Sequence, residues 1–472
     1  MTSHEYTSLP VVWNDKIGGE TSSLLGGSGK GDTQLPASAL YRNFYAMSVA
    51  FALNHGCVTV CLAYASSMLG DDMGSVSNGC LYVSYAVSAF VLAKPLVAAL
   101  GPKNGLSLGV IGYCVYTLSF LLALLFLDVT VDTKSLSWLL SVVGAVVGGA
   151  AGGLLWTAQG RYFARTATLY SQQTRQPLEA VNADMIAVFA AAFLGIETGV
   201  KLLATAFFLL FPSAAPAFIF SVYTIVALCS VFVVLHLEEL DEDGTVGTLF
   251  TYKAASEEAG KVARLVYLDR RLALIIPFQI AFGFASSFVP YYVFGTVIDD
   301  SDVLGSEWVG LFSAVVVLTG AAAALPAAWA ANRLGKPIVM TVGSVCLTFT
   351  GLAFYVWPDE KLGTLGVILP YLVVYGLGRG IWETINKAVL ADFYASNADT
   401  CTTAFAAATF SNGYASAMGY FTFTSLSRLE MAGLVTASSL LSLLCYQGAF
   451  LEEKRRQMLM NAAERGGEFE DG

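Results

Sequence analysis

Two pairs of oppositely charged residues stand inside long apolar runs, where an ionisable group is costly unless it faces protein or water. Arg379, Glu383 and Lys387 are spaced four apart, which places them on one stripe of a helix with the carboxylate between two cations. Glu197 and Lys201 share this spacing with the acid first, the favourable order. Arg379 could receive an anionic group or gate by pairing with Glu383, and Glu197 could bind a cation or a proton. Alternatively, Arg379 and Glu383 form an ion network within their helix that closes the cytosolic side, and Lys387 extends to the lipid headgroups. For Glu197 and Lys201 the alternative is a self-neutralised pair that supports packing between the two halves of the chain.

Uncharged polar residues in the same apolar runs also have two interpretations. His55 follows Asn54 near the middle of the first run, and histidine is the side chain most easily switched near neutral pH. A role in proton coupling is therefore one interpretation. The other is that His55, Asn54, Gln279 and Asn412 form hydrogen bonds between neighbouring helices.

The composition indicates that membrane-spanning helices carry these residues. Of the 472 residues, 56% are hydrophobic and 13% are charged, which is far from the composition of a soluble globular protein. Apolar runs of roughly twenty residues recur along the chain, and we expect an all-α membrane protein with about twelve transmembrane helices. The predicted helices cover residues 43–67, 75–98, 105–128, 136–163, 183–211, 215–236, 271–297, 306–332, 337–357, 364–391, 400–423 and 430–450.

The charge and the missing motifs exclude several classes of function. The net charge of −10 is concentrated in the predicted tails, linker and short loops, so we expect no nucleic-acid partner. The eight cysteines form no CxxC pair and have no accompanying histidines, so we expect no metal site. Motifs for nucleophilic catalysis, nucleotide phosphates and dinucleotides are missing as well. We therefore expect no enzyme activity, no catalytic residue and no cofactor.

The predicted helices divide into two bundles of six, separated by a polar and acidic linker. The expected order is an N-terminal tail at 1–40, a first bundle at 41–236, a linker at 237–270, a second bundle at 271–450 and a C-terminal tail at 451–472. Lys and Arg concentrate in alternate connections, including the linker, and in the C-terminal tail. Because cationic loops are retained in the cytosol, this asymmetry predicts an integral membrane protein with both termini cytosolic.

The two bundles match each other at corresponding positions. Pro95 precedes a Gly-Pro-Lys turn at 101–103, and Pro326 precedes a Gly-Lys-Pro turn at 335–337. The fourth helix of each bundle has a glycine-rich start followed by a tryptophan, Trp156 or Trp382. Such a parallel repeat predicts the major facilitator fold, in which two six-helix pseudo-repeats surround a cavity.

Several short motifs in the helices and turns are more specific. The longest is LWTAQGRY at 155–162, and the next is GRGIWE at 378–383. Shorter ones are Tyr41–Phe44, Ser66-Ser67, Tyr82, Leu100–Lys103, Gly112-Tyr113, Lys387-Ala388 and Ala391–Phe393. Together they resemble the Unc-ninety-three-like branch of the major facilitator superfamily. The resemblance implies a cavity lined by the first, fourth, seventh and tenth helices. It also implies a regulator of potassium channels, an escort of membrane receptors or a protein of transporter type.

The same motifs supply candidates for a gate at the predicted cytosolic ends of the helices. The candidates are Lys103, Trp156, Gln159, Arg161, Trp382 and Lys387. Tryptophan and arginine at such positions also serve as anchors in the membrane interface, and this alternative stays open.

Two short patterns in the N-terminal tail fit signals that vesicle adaptors read. One is the tyrosine pattern of Tyr6 and Leu9, and the other is the acidic dileucine pattern of Glu20, Leu24 and Leu25. Both patterns are short enough to arise by chance. The sequence therefore leaves the plasma membrane and the endolysosomal or vacuolar membrane open.

Two functions from different classes follow from these observations. In the first, the protein is a regulatory or accessory partner of an ion channel or membrane receptor in the lipid bilayer. In the second, it moves a small solute or ion by alternating access, with Arg379, Glu383, Glu197 and His55 in the binding and coupling site.

Overall fold

A computed structural model describes residues 35–127, 131–211, 216–240, 252–301, 303–394 and 397–467. Nearly all of these residues are helical. The reason is that lipid offers the backbone no hydrogen-bond partner, whereas a helix satisfies its amide groups internally. The predicted sorting residues Tyr6, Leu9, Glu20, Leu24 and Leu25 lie outside the described residues.

Twelve long helices follow one another along the described chain. They are α1 (Ala37–Leu69), α2 (Asp71–Leu100), α3 (Pro102–Phe126), α4 (Val131–Thr174), α5 (Leu178–Leu210), α6 (Pro216–Leu235), α7 (Arg270–Ile298), α8 (Ser306–Leu334), α9 (Lys336–Val356), α10 (Leu365–Phe393), α11 (Ala398–Phe423) and α12 (Arg428–Gly467). Eleven of them are long and apolar enough to cross a membrane. The exception is α11, whose threonine, serine and asparagine side chains lower its hydropathy. It still spans 26 residues and packs against α2 and α7.

The predicted linker and the predicted C-terminal tail both contain helical segments. Within the predicted linker, Tyr252–Leu268 forms a helix, here called the linker helix, that packs against α11 and the end of α2. Val262 of this helix is buried. The helix therefore has an apolar contact face, although its sequence is polar on average. The helix α12 continues to Gly467, past its predicted end at residue 450, because residues 451–465 are mostly strong helix formers without Gly or Pro.

The two halves, α1–α6 and α7–α12, meet through α2 with α11 and through α5 with α8. Tyr82 of α2 stacks on Tyr420 of α11 with ring centroids 5.7 Å apart. At the end of the bundle opposite the linker helix, the backbone N–H of Gly310 donates to the Tyr64 hydroxyl at 2.9 Å. The backbone N–H of Leu311 donates to the Thr205 hydroxyl at 2.8 Å. Helices α1, α5 and α8 are therefore joined at this opposite end.

Candidate functional site

Each charge pair that the sequence singled out forms an ion pair within its own helix. On α5, Lys201 Nζ lies 2.7 Å from Glu197 Oε1, and the two side chains are 4% and 1% exposed. On α10, Arg379 Nε lies 2.9 Å from Glu383 Oε1, and the side chains are 26% and 34% exposed. The two pairs therefore share their spacing and chemistry and differ in access to solvent.

The two pairs face each other across the halves. Glu197 interacts electrostatically with Arg379, and Lys201 interacts with Glu383. A side chain in the middle of a spanning helix can be exposed either to lipid or to an interior space. Because Arg379 also interacts electrostatically with Glu197 and His55 of the other half, its exposed part borders the space between the halves. We call this space, bordered by His55, Arg379 and Glu383, the interior opening.

His55 lies in an aromatic environment on the N-terminal side of the interior opening. Its ring centroid is 5.2 Å from Phe193, 5.4 Å from Trp156, 5.9 Å from Tyr113 and 6.0 Å from Phe51. Its Nδ1 atom is buried and has no hydrogen-bond partner among the described residues. Aromatic packing therefore surrounds this ring, and His55 interacts electrostatically with Glu197 and Arg379 from there.

The other amide candidates form hydrogen bonds between helices. Gln279 Nε2 donates to Asn386 Oδ1 at 2.8 Å, and Trp382 Nε1 donates to Gln279 Oε1 at 2.8 Å. The Tyr446 hydroxyl donates to the same Asn386 oxygen at 3.1 Å, and Asn412 Nδ2 lies 3.4 Å from the Gln279 carbonyl. This network ties α7, α10, α11 and α12 together. Asn386 and Tyr446 were not among the predicted site residues, although an amide in an apolar run is a visible signal.

Asn54 points away from the interior opening. Its side chain is fully buried, and Nδ2 donates to the Ser230 hydroxyl at 2.9 Å and the Ala227 carbonyl at 3.3 Å, both on α6. The structure thus separates Asn54, which joins α1 to α6, from its neighbour His55, which borders the opening.

The remaining gate candidates lie toward the linker end. The Lys387 ammonium lies 5.6 Å from the centre of the Trp382 ring, across a π-helical turn at Trp382–Asn386. Trp156 packs edge-on against Phe51 at 4.7 Å. Three further candidates are half-buried, namely Lys103, Gln159 and Arg161.

A buried arginine that the sequence indicated only as a loop cation organises the linker end of the second half. Arg271 is 5% exposed and forms ion pairs of 2.6 Å with Asp269 and with Glu453 of α12. It also donates to the Phe393 carbonyl at 2.9 Å, and its guanidinium lies 4.7 Å from the Tyr394 ring centre. This cluster connects the C-terminal part of α12 to the start of α7 and to the end of α10.

Acidic residues of the two halves meet at the opposite end, in what we call the acidic contact. Asp71 at the start of α2 interacts electrostatically with Asp299 and Asp300, which follow α7. Burial, together with Asp300, Asp71 and Glu307, raises the pKa of Asp299 to about 6. Among the described residues, no group of three or more His, Cys, Asp or Glu side chains is placed to hold a metal ion.

Comparison with solved structures shows the fold. A variant of the nucleoside transporter NupG matches with a TM-score of 0.62 at 13% identity, covering 88% of this chain and 99% of that one. The inward-open xylose transporter XylE from E. coli matches with a TM-score of 0.59 at 12% identity, covering 86% and 95%. A bacterial homologue of human peptide transporters matches with a TM-score of 0.60 at 13% identity, covering 90% and 100%. The predicted major facilitator fold is thereby confirmed.

Sequence comparison supplies the family. No curated protein matches the chain in a sequence search. The family model described as ion channel regulatory protein UNC-93 matches residues 68–357, which is more than half of the chain. The match covers all of α2 to α9. The chain therefore belongs to the UNC-93 family of ion channel regulatory proteins, as the sequence motifs predicted.

Proposed function

We propose that this protein is a regulatory or accessory subunit of an ion channel in a cellular membrane. The observation that carries the proposal is its membership of the UNC-93 family. The charges of the central site support it, since Glu197 with Lys201 and Arg379 with Glu383 are neutralised within their own helices. A site balanced in this way is compatible with a regulator that holds one conformation. A membrane receptor is the second kind of partner that the resemblance implies.

The basic residues support an orientation for the subunit. Arg271, Arg333 and Lys336 lie at the linker end, and by the positive-inside rule we propose that this end is cytosolic. The acidic contact of Asp71 with Asp299 would face the lumen or the cell exterior. Deleting residues 1–30 and imaging the protein tests whether the tail directs it to endolysosomal membranes. An unchanged location would show that the Tyr6 and Leu24 patterns are not sorting signals.

Secondary transport is the second candidate function, and one observation favours it. Arg379 and Glu383 are 26% and 34% exposed at mid-helix and border the interior opening. Ionisable groups with such access are what a binding or coupling site requires. The fold is also that of proteins named as transporters.

Purification of the tagged protein from its own cells in mild detergent separates the two functions. An ion channel recovered at near-equal stoichiometry supports the regulatory function. A membrane receptor recovered in its place would indicate that the protein is a receptor escort. If the protein is recovered alone, reconstituted flux with Arg379→Gln and Glu383→Gln variants becomes the decisive measurement. If flux depends on these two residues, transport replaces channel regulation as the proposed function.

A further inference from the structure

We propose that the interior opening is a binding site for a small organic anion with a flat aromatic body. The site goes beyond the proposed function, because a regulator and a transporter could each use it. Two features of the opening carry the proposal, namely the unused donors of Arg379 and the aromatic wall that faces them.

Arg379 has hydrogen-bonding capacity that its ion pair leaves unused. Only Nε donates to Glu383, at 2.9 Å, and the Nη1 and Nη2 amino groups form no hydrogen bond to the described residues. The side chain is 26% exposed toward the opening. Two parallel N–H donors on a planar guanidinium match the oxygens of a carboxylate or a phosphate. The free end of Arg379 is therefore suited to an anionic group.

The aromatic wall is formed by His55 of α1, Trp156 of α4 and Phe193 of α5. The ring centroids are 5.2 Å apart for His55 and Phe193, 5.4 Å for His55 and Trp156, and 5.5 Å for Trp156 and Phe193. All three side chains are half-buried, so each retains surface that a ligand can cover. His55 interacts electrostatically with both Arg379 and Glu383, so the wall lies within electrostatic range of the ion pair. Such rings pack favourably against a flat aromatic body.

The distribution of charge favours an anion over a cation as the ligand. Glu197 is 1% exposed and is bonded to Lys201, so its charge is not available to a ligand. Glu383 is bonded through Oε1 to Arg379, which offsets its charge. Arg379 keeps two amino groups for a further acceptor. Glu383 keeps one oxygen, Oε2, without a hydrogen bond to the described residues, whereas the two amino groups of Arg379 keep four N–H donors, so the larger remaining hydrogen-bonding capacity belongs to the cation.

Three probes with shared parts test the proposal on the purified full-length protein by titration calorimetry. Indole-3-acetate has the ring and the carboxylate, tryptamine has the ring and an ammonium group, and acetate has the carboxylate alone. We expect indole-3-acetate to bind at least about tenfold more tightly than either of the others. Phenyl phosphate serves as a second aromatic anion and is expected to bind as well. Tighter binding of tryptamine, or no binding of either aromatic anion, would overturn the proposal.

Variants assign the binding to the two features. Arg379→Gln and Trp156→Leu should each weaken indole-3-acetate binding by about tenfold or more, whereas Lys94→Gln, at an exposed site far from the opening, should not. Glu383→Gln should have the opposite effect, because it removes the negative charge beside Arg379 while the amide oxygen of Gln can still accept from Nε. We expect that variant to bind the anion at least as tightly as the unmodified protein. Loss of binding in Glu383→Gln, or full binding in folded Arg379→Gln, would contradict the assignment.

Discussion

The ion pairs of α5 and α10 are two versions of one local motif in different surroundings. Glu197 and Lys201 are almost completely buried, whereas Arg379 and Glu383 keep about a quarter to a third of their surface exposed. The α5 pair is covered because two helices approach it at glycines. A Cβ atom at Gly56 of α1 would lie 3.6 Å from the Glu197 Cα, and one at Gly310 of α8 would lie 2.3 Å from the Lys201 carbonyl oxygen.

The comparison shows that spacing predicts an ion pair but that packing decides its role. In a buried pair, each charge has given up its hydration, and removing one partner leaves the other uncompensated. In a half-exposed pair, water screens the remaining charge. Glu197 Oε2 is already buried without a hydrogen-bond partner among the described residues. The Glu197 carboxylate therefore depends on Lys201 to compensate its charge. We infer that the α5 pair mainly supports structure and that the α10 pair is available for function.

The largest expected effect is the loss of stability when one charge of the buried pair is removed. Lys201→Met leaves the Glu197 carboxylate buried without its cation, and we expect the free energy of unfolding to fall by about 3–5 kcal/mol. The matched variant Arg379→Met should cost about 1 kcal/mol or less, because Glu383 remains partly hydrated. Thermal unfolding of both variants in the same detergent measures the difference.

A double variant shows whether the uncompensated charge is the cause. Glu197→Leu combined with Lys201→Met removes both charges, and it should regain most of the stability that Lys201→Met alone loses. Equal losses in Lys201→Met and Arg379→Met would show that exposure does not distinguish the two pairs.

The architecture could be predicted from the sequence because its signals are averages over many residues. Apolar runs gave the positions of the spanning helices, and the matching turns after Pro95 and Pro326 gave the repeat. The linker helix could not be predicted in this way. Its sequence is polar on average, and its position depends on contacts with α2 and α11, which are distant in the chain.

The candidate site could be predicted only in part, for the same physical reason. An i, i+4 ion pair is local, and both pairs are where their spacing places them. The wall around His55 joins rings of α1, α4 and α5, and the Arg271 cluster joins α7, α10 and α12. Such assemblies depend on which helices become neighbours. For the same reason, Asn54 and His55 are adjacent in sequence yet face different surroundings.

A smaller effect is expected at the acidic contact, where the charges of Asp71, Asp299 and Asp300 have the same sign. The pKa of Asp299 is raised to about 6 from 3.8, so the folded state binds this proton more tightly than the unfolded state. The linkage relation then makes stability fall as pH rises from about 4 to about 6. Asp299→Asn removes this cost. We expect it to raise the free energy of unfolding at pH 7 by about 1 kcal/mol after solvent screening, seen as a higher unfolding temperature, and to have no effect at pH 4.

The groups that face Asp299 define the control for this experiment. Asp300, Asp71 and Glu307 raise its pKa, and a hydrogen bond with Ser306 opposes them. Glu360→Gln replaces an acidic residue outside this group, and it should not reproduce the pH dependence. A stabilisation by Asp299→Asn that persists at pH 4 would show that the charge of Asp299 is not its cause.

The smallest effect is expected for the exposed ion pair that joins the linker helix to α2. Lys94 Nζ lies 3.1 Å from Glu258, and the side chains are 53% and 25% exposed. Glu258 is also held by Lys261 at 2.8 Å. Lys94→Ala should therefore lower the free energy of unfolding by at most about 1 kcal/mol, and 1 M salt should abolish the difference in unfolding temperature. A loss as large as that of Lys201→Met would mean that the linker helix holds the two halves together, and exposure would then fail as a guide to the energy of an ion pair.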